Sequence, residues 1–211
     1  IRGRIDNDII EDIIGAHLAH YHLGAIFPDV LFFNRDPKIR KAANFLHGET
    51  GDPTNVFVFE ILDRIRGSRD ETHLAFICGF LTHCAMDIIF HPLVFYLSGY
   101  DPKNGPRQQL QSSYLHWHYE TLIDRHFNPG VFLERIVKPA VVNDLILPAI
   151  QNISRQNIMA SLKRQISYFG RIHSRRYYLI YRMLAGIGLI DKNWVAGFYA
   201  HLEVENKKLP E

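Results

Sequence analysis

The 211 residues are enough for one large domain with its own core, and 47% apolar against 22% charged residues is ordinary globular composition. A formal net charge of +2 argues for no polyelectrolyte partner, and no basic run interleaved with aromatics marks a nucleic-acid surface. The one dense basic cluster, Arg171 to Arg176, reads as a solvated helix face.

Helical periodicity runs through the chain. Ile9, Ile10, Ile13 and Ile14 recur at helical spacing and continue towards His22, until Pro28 breaks the pattern. Asp52-Pro53 has the form of an N-cap followed by proline at the first helical position, which predicts a second helix to Arg66. Asp70 opens a third, running to about Leu97. "GYDPKNGP" (99–106) is a turn-rich loop, a fourth helix covers about 107–127, and Asn128-Pro129 starts another. Ser154 caps a long amphipathic helix through "ISYFGRIHSRRYYLIYRMLAG", and Asp191 caps a last one. No alternating strand, internal repeat or low-complexity linker is visible. The expectation is an all-α fold, a single multi-helix bundle domain over residues 1–211.

Phe76 to Leu97 is charge-free apart from Asp87 and long enough to cross a bilayer. Its His and Asp residues make that placement costly, so the span reads as a buried core helix and no transmembrane segment is expected. Cys78 and Cys84 lie six apart on this helix, wrong for a paired-cysteine zinc site and awkward for a disulfide. They read as small buried residues. The chain begins with Ile1 rather than Met, which reads as processing or as a piece of a longer chain. A removed leader leaves no trace, so the compartment stays open between cytoplasm and secretion.

The chemistry is concentrated in "GFLTHCAMDIIFHPLVF" (79–95), where His83, Asp87 and His91 follow one another at intervals of four. At about 100° per residue the three share a stripe about 80° wide. A buried carboxylate needs a positive partner, yet no Lys or Arg lies between Arg69 and Lys103. A metal ion supplies that charge directly. "HWHYE" repeats the pattern with His116 and Glu120, an i, i+4 pair that suits zinc. His118 points elsewhere, and Asp124 reads as an ion-pair or supporting residue. Upstream, Asp29 sits after Pro28 in an apolar setting, and His47 precedes Gly48 at a helix-to-loop junction. Together these residues describe a buried multinuclear metal site in a helical bundle; imidazole with carboxylate and no thiolate fits zinc, and iron and manganese stay open by ligand type.

The order "LGAIFPD", "LHG", "GFLTHCAMDIIFHP", "HWHYE" resembles the bacterial zinc-dependent phospholipase C family. That family is related to the helical single-strand-specific zinc nucleases and to the amino-terminal domain of glycosylphosphatidylinositol-specific phospholipase D. The likeness spans about residues 22–127, and residues 128–211 carry no motif. It implies that Asp29, His47, His83 and Asp87 hold one zinc and that His91, His116 and Glu120 hold another. It further implies that Asp87 bridges the first ion to a third. In the phospholipases the third ion also takes the amino-terminal residue and a nearby histidine. Here no His precedes His17, so three readings stay open: ligands upstream, a dinuclear site, or substitution by His17, His20 or His22.

The implied function is a metal-dependent hydrolase of phosphoric esters, acting on a phospholipid-type phosphodiester, with phospholipid at a membrane surface as partner. Asp29 is the candidate base. No Gly-x-Ser-x-Gly elbow or glycine-rich phosphate loop competes with that reading. The alternatives are a zinc nuclease or nucleotidase on single strands, and a non-catalytic helical scaffold with structural zinc.

Overall fold

A computed structural model describes residues 8–48, 55–68, 70–127, 132–148, 150, 153–172, 174–200 and 202, and among them every regular element is a helix. In chain order these are α1 (Asp8–Ala16), α2 (Leu18–Val30), α3 (Pro37–Lys41), α4 (Ala43–Leu46), α5 (Val56–Arg64) and α6 (Glu71–Ser98). Then follow α7 (Pro106–Phe127), α8 (Leu133–Ile136), α9 (Arg155–Ile172), α10 (Arg175–Gly186) and α11 (Lys192–Phe198). Short 3-10 turns occupy Leu31–Phe33 and Pro139–Asp144. The expected helix starts at Asp52-Pro53 and Asn128-Pro129 lie outside the described residues.

The chain divides into two compact units. The first comprises Ile1–Met86 and Glu134–Ser167, the second Asp87–Leu133 and Tyr168–Glu211.

In the first unit, α2, α5 and α6 share an aromatic core. Phe27 stacks on Phe57 with ring centroids 5.5 Å apart and meets Phe76 edge-on at 5.1 Å, while Phe57 lies 5.4 Å from Phe80. All four rings are buried. Edge-on and offset contacts of this kind add about 0.5–1.5 kcal/mol per pair beyond the area they bury. The backbones of α2 and α6 touch directly. A Cβ on Gly24 would lie 2.0 Å from the Phe76 carbonyl oxygen, and one on Gly79 would lie 2.0 Å from that of Tyr21. Two glycines, one in "LGAIFPD" and one in "GFLTHC", therefore let the helices meet backbone to backbone.

Polar clamps hold the remaining segments of this unit. His73 is buried on α6, and its Nε2 accepts the Ile146 N–H at 2.7 Å, so the ring proton sits on Nδ1, 2.8 Å from Asp70 Oδ2. Burial pushes the Asp70 carboxyl up, but the His73 contacts outweigh it and leave the pKa below its ordinary value. Arg155 donates to the carbonyls of Asn143 and Leu145, and Asn34 donates to Ser161 Oγ at 2.7 Å.

The second unit is built on α7, α10 and α11. Tyr178, Val195 and Tyr199 form its buried centre, with Tyr181, Trp194 and Phe198 packed around them. Gly197 of α11 brings that helix against α7, where a Cβ would lie 2.8 Å from the Tyr114 carbonyl oxygen, and Trp117 meets Phe198 at 4.5 Å.

Several boundaries differ from the sequence reading. The first predicted helix is two, divided at His17, whose backbone leaves the helical region at φ −119° and ψ 37°. Ile9 is largely exposed rather than core. Pro28 does not end α2, which continues to Val30: a proline in the last turn forfeits one N–H bond, and the 3-10 turn Leu31–Phe33 carries the chain on. Asp36-Pro37 starts α3, with the Asp36 side chain accepting from Lys38 N–H at 2.9 Å. That pair carried the same capping signal as Asp52-Pro53 and was readable in the sequence. The long helix expected after Ser154 is divided into α9 and α10 by the extended backbone of Ser174, while Ser154 does cap, accepting from Asn157 N–H.

α6 runs to Ser98 through Pro92, but it is not a core helix throughout. His73, Ala75, Phe76, Ile77 and Phe80 are buried, whereas Ile88 and Ile89 are 76% and 64% exposed. By length and composition it passes as a membrane-crossing helix, and only a third of its most apolar window, 33%, is buried. Burial therefore follows the glycine-paired half of the helix. Cys78 and Cys84 are not in a disulfide and are of intermediate exposure rather than buried, and partial burial raises the Cys78 pKa.

Candidate metal centre

The first unit assembles Asp29, His47 and His83, whose ligand atoms all lie within 4.8 Å of one another. Asp29 comes from the last turn of α2, His47 from the end of α4 and His83 from α6. The α2–α6 backbone contact at Gly24 and Gly79 places the Ala25 carbonyl 2.9 Å from His83 Nδ1. A carbonyl only accepts, so Nδ1 carries the proton and Nε2 keeps its lone pair. The same device recurs at His47, whose Nδ1 donates to the Ala43 carbonyl at 3.0 Å. His47 Nε2 lies 3.1 Å and His83 Nε2 4.0 Å from the same atom, Asp29 Oδ1. Gly48, at φ +72°, turns the chain away directly after His47. Phe32 stands beside the His47 ring at 5.2 Å.

The second unit assembles His91, His116 and Glu120, again with ligand atoms within 4.8 Å. Both imidazole Nε2 atoms converge on Glu120 Oε1, at 3.3 Å from His91 and 2.8 Å from His116. Phe95 covers the two rings, with centroids 5.2 and 5.3 Å away. Burial pushes the Glu120 carboxyl up, but the two histidine hydrogen bonds and charges outweigh it and hold the pKa at about 2. Glu120 is thus an anion throughout the ordinary pH range, facing two imidazoles, which suits a cation in their midst.

Each group offers two imidazoles and one carboxylate, the donor set of a zinc site that keeps a position open for water or substrate. The backbone carbonyls behind His47 and His83 are the outer partners that fix ring orientation in such sites. These carbonyls and the glycine pair are the supporting parts that the sequence reading missed. The glycines were in view as letters of the motifs, but nothing in one sequence says which backbone they touch.

The other sequence-derived positions fall as follows. Asp87 is in neither three-residue group, and its Oδ1 lies 3.7 Å from His91 Nε2. Asp124 is exposed. His118 Nδ1 faces the Ala196 carbonyl at 3.5 Å. His17 faces Glu71 at 3.6 Å, His20 faces Asp144 at 3.1 Å, and the His22 ring lies beside Tyr21. Among the described residues no third group of three donors comes together.

An all-helical chain that twice gathers two histidines and a carboxylate is of the class of helical metal-binding proteins. More narrowly, a family model described as zinc dependent phospholipase C matches residues 4–169, and the chain belongs to that family. The match extends on both sides of the stretch 22–127 that carries the motifs. No curated protein and no solved structure matches the chain.

The charge of the first group sets its pH behaviour. Burial works against a charge on His47, but the hydrogen bond and negative charge of Asp29, with the Ala43 carbonyl, raise its pKa above the ordinary 6.5. In the metal-free protein this pair stabilises the fold below pH 6.5, and its contribution is lost as pH rises through the raised value. Metal binding has the opposite sign, because a ligating imidazole must be neutral. Zinc affinity of this group should therefore climb through pH 6.5 and level off only above the raised value. Competition with a chromophoric chelator between about pH 5.5 and 8.5 tests this, using the known proton linkage of the chelator. An affinity independent of pH would count against His47 as a ligand.

Proposed function

We propose that the chain hydrolyses a phospholipid-type phosphodiester with the help of two zinc ions. Asp29, His47, His83 and Asp87 hold one, and His91, His116 and Glu120 hold the other. The observation that carries this reading is the double convergence of two imidazole Nε2 atoms and one carboxylate oxygen, within 4.8 Å each time, in a chain of a zinc-dependent phospholipase family.

Bound zinc supplies positive charge for the non-bridging phosphate oxygens and acidifies water to near neutrality. The chain's own residues do the rest. The Asp29 carboxylate, whose Oδ1 both imidazoles face, would take the proton from the attacking water as general base. His47 and His83, braced from behind by Ala43 and Ala25, keep their lone pairs aimed inward, so little reorganisation accompanies binding. Asp87, one helical turn from both His83 and His91, would add a second carboxylate to the first group. No side-chain nucleophile enters: the water oxygen bonds to phosphorus as the P–O bond to the alcohol breaks, and the alcohol leaves with the proton that Asp29 has taken up.

The protein purified without added metal should contain at least two divalent ions per chain, zinc foremost. It should cleave a p-nitrophenyl phosphodiester or a dispersed phospholipid, a chelator should stop this, and zinc should restore it. Retention of full activity after complete chelation, verified by elemental analysis, would reject the metal mechanism. A fully loaded protein that turns over no phosphoester would instead favour the structural-zinc reading.

A further inference from the structure

The C-terminal helices lie beyond the family match, which ends at residue 169, and they present a surface the metal chemistry does not use. α10 is apolar on two sides. One side, with Tyr178, Tyr181 and Ala185, packs into the core of the second unit with α11. The other carries Leu179, Ile180, Met183 and Ile187 at spacings of one to four, which on a helix is a single outward stripe. Met183 is 62% exposed, Ile187 66% and Leu189 69%.

The end of α10 sharpens this surface. Leu189 N–H bonds to the Leu184 carbonyl and Gly188 N–H to that of Ala185, with Gly188 at φ +77°, which is a Schellman turn. In such turns the residue after the glycine commonly folds back onto the last helical turn. Here that residue, Leu189, stands out in solvent beside Ile187, so the apolar area of the tip is left unspent. Within residues 175–192 cations outnumber acids. Arg175 and Arg176 at the start of α10 and Lys192 after the tip are exposed, Arg182 reaches back to the Tyr178 hydroxyl, and the single acid of this stretch, Asp191, caps α11 through Asn193 N–H.

We propose that the outward face of α10 and the Ile187-Gly188-Leu189 tip dock the protein on an anionic phospholipid surface. A solvent-facing apolar tip with a cationic rim matches the two layers of such a surface, since the aliphatic side chains enter the acyl boundary while the guanidinium groups meet lipid phosphates. A protein partner of mixed polarity offers no equivalent reason for a stretch in which four exposed cations accompany one acid. The proposal rests on the phospholipid reading of the metal site for its purpose, but it is measured without turnover.

Vesicle flotation tests it, with the zinc-loaded protein on phosphatidylcholine vesicles with and without about 30% phosphatidylserine. The parent should float with anionic vesicles and much less with neutral ones. Ile187→Ser with Leu189→Ser should weaken binding about tenfold or more while hydrolysis of a soluble phosphodiester is unchanged. Arg175→Gln with Arg176→Gln should cost about fivefold per charge on anionic vesicles and nothing on neutral ones. Undiminished flotation of the tip variant overturns the proposal. So does a parent that ignores anionic vesicles but forms a dimer that the tip variant abolishes, since the face then binds a second copy. If tip-dependent flotation appears but no phosphoester is turned over, the docking surface stands and the phospholipase reading of the metal site falls.

Discussion

Gly79→Ala should destabilise the protein by about 3 kcal/mol or more and should impair the first metal group as well. The added Cβ would sit 2.0 Å from the Tyr21 carbonyl oxygen and 2.8 Å from the Ala25 nitrogen. Both are backbone atoms of α2, so no side chain can swing aside to relieve the clash. The helices must separate, which loosens the packing of Phe27 on Phe76 and draws the Ala25 carbonyl away from His83 Nδ1. Overpacking costs of this class reach about 1–3 kcal/mol where side chains can yield, and backbone against backbone is at the upper end. For a chain of this length the corresponding loss in melting temperature is roughly 6–12 °C. Gly15→Ala is the control: nothing lies within 4 Å of its Cβ, and it should be neutral or stabilising by up to about 1 kcal/mol. Thermal unfolding with zinc content measured on the folded protein reads both effects. Equal melting temperatures for Gly79→Ala and the parent would mean that the close approach does not hold α2 and α6 together.

Asp87→Asn should lose more metal and more activity than His116→Ala. Asp87 stands one helical turn from His83 and one from His91, residues assigned above to different ions. The amide keeps the shape but removes the negative charge and one good anionic oxygen. His116→Ala should empty mainly the second group, because His91 and Glu120 alone bind weakly. Disturbing the outer partners of a metal ligand typically costs 10- to 100-fold in affinity or activity, so losing a shared ligand should exceed about 100-fold. The fold should survive both changes, since a chain of this length buries enough apolar surface without the metal. Metal stoichiometry, phosphodiesterase rate and circular dichroism on both variants decide it. Undiminished metal content in Asp87→Asn would show that this carboxylate serves some other purpose, its contact with His91 being one candidate.

The lasting marks of the sequence are local ones. Helical periodicity and caps at Ser154 and Asp191 were legible because a cap is made by a side chain and the backbone two or three residues on. The spacing of four between His116 and Glu120 was legible for the same reason: on any helix that spacing brings two side chains together. So the all-helical fold and the family could be read from letters alone. What needed the tertiary structure was every relation between distant segments. Asp29, His47 and His83 come from three helices: the contact of Gly24 with α6 and of Gly79 with α2 brings Asp29 and His83 together, and the packing of α4 on α2 adds His47. The tautomers of His47 and His83 depend on backbone carbonyls that no side-chain pattern records. Nor could composition tell which half of α6 is buried, because Phe76 and Ile88 are equally apolar and differ only in what packs against them. Sequence determines what a residue offers, in charge, shape and helical register; which neighbour accepts the offer is decided by long-range packing, whose close approaches depend on the whole chain at once.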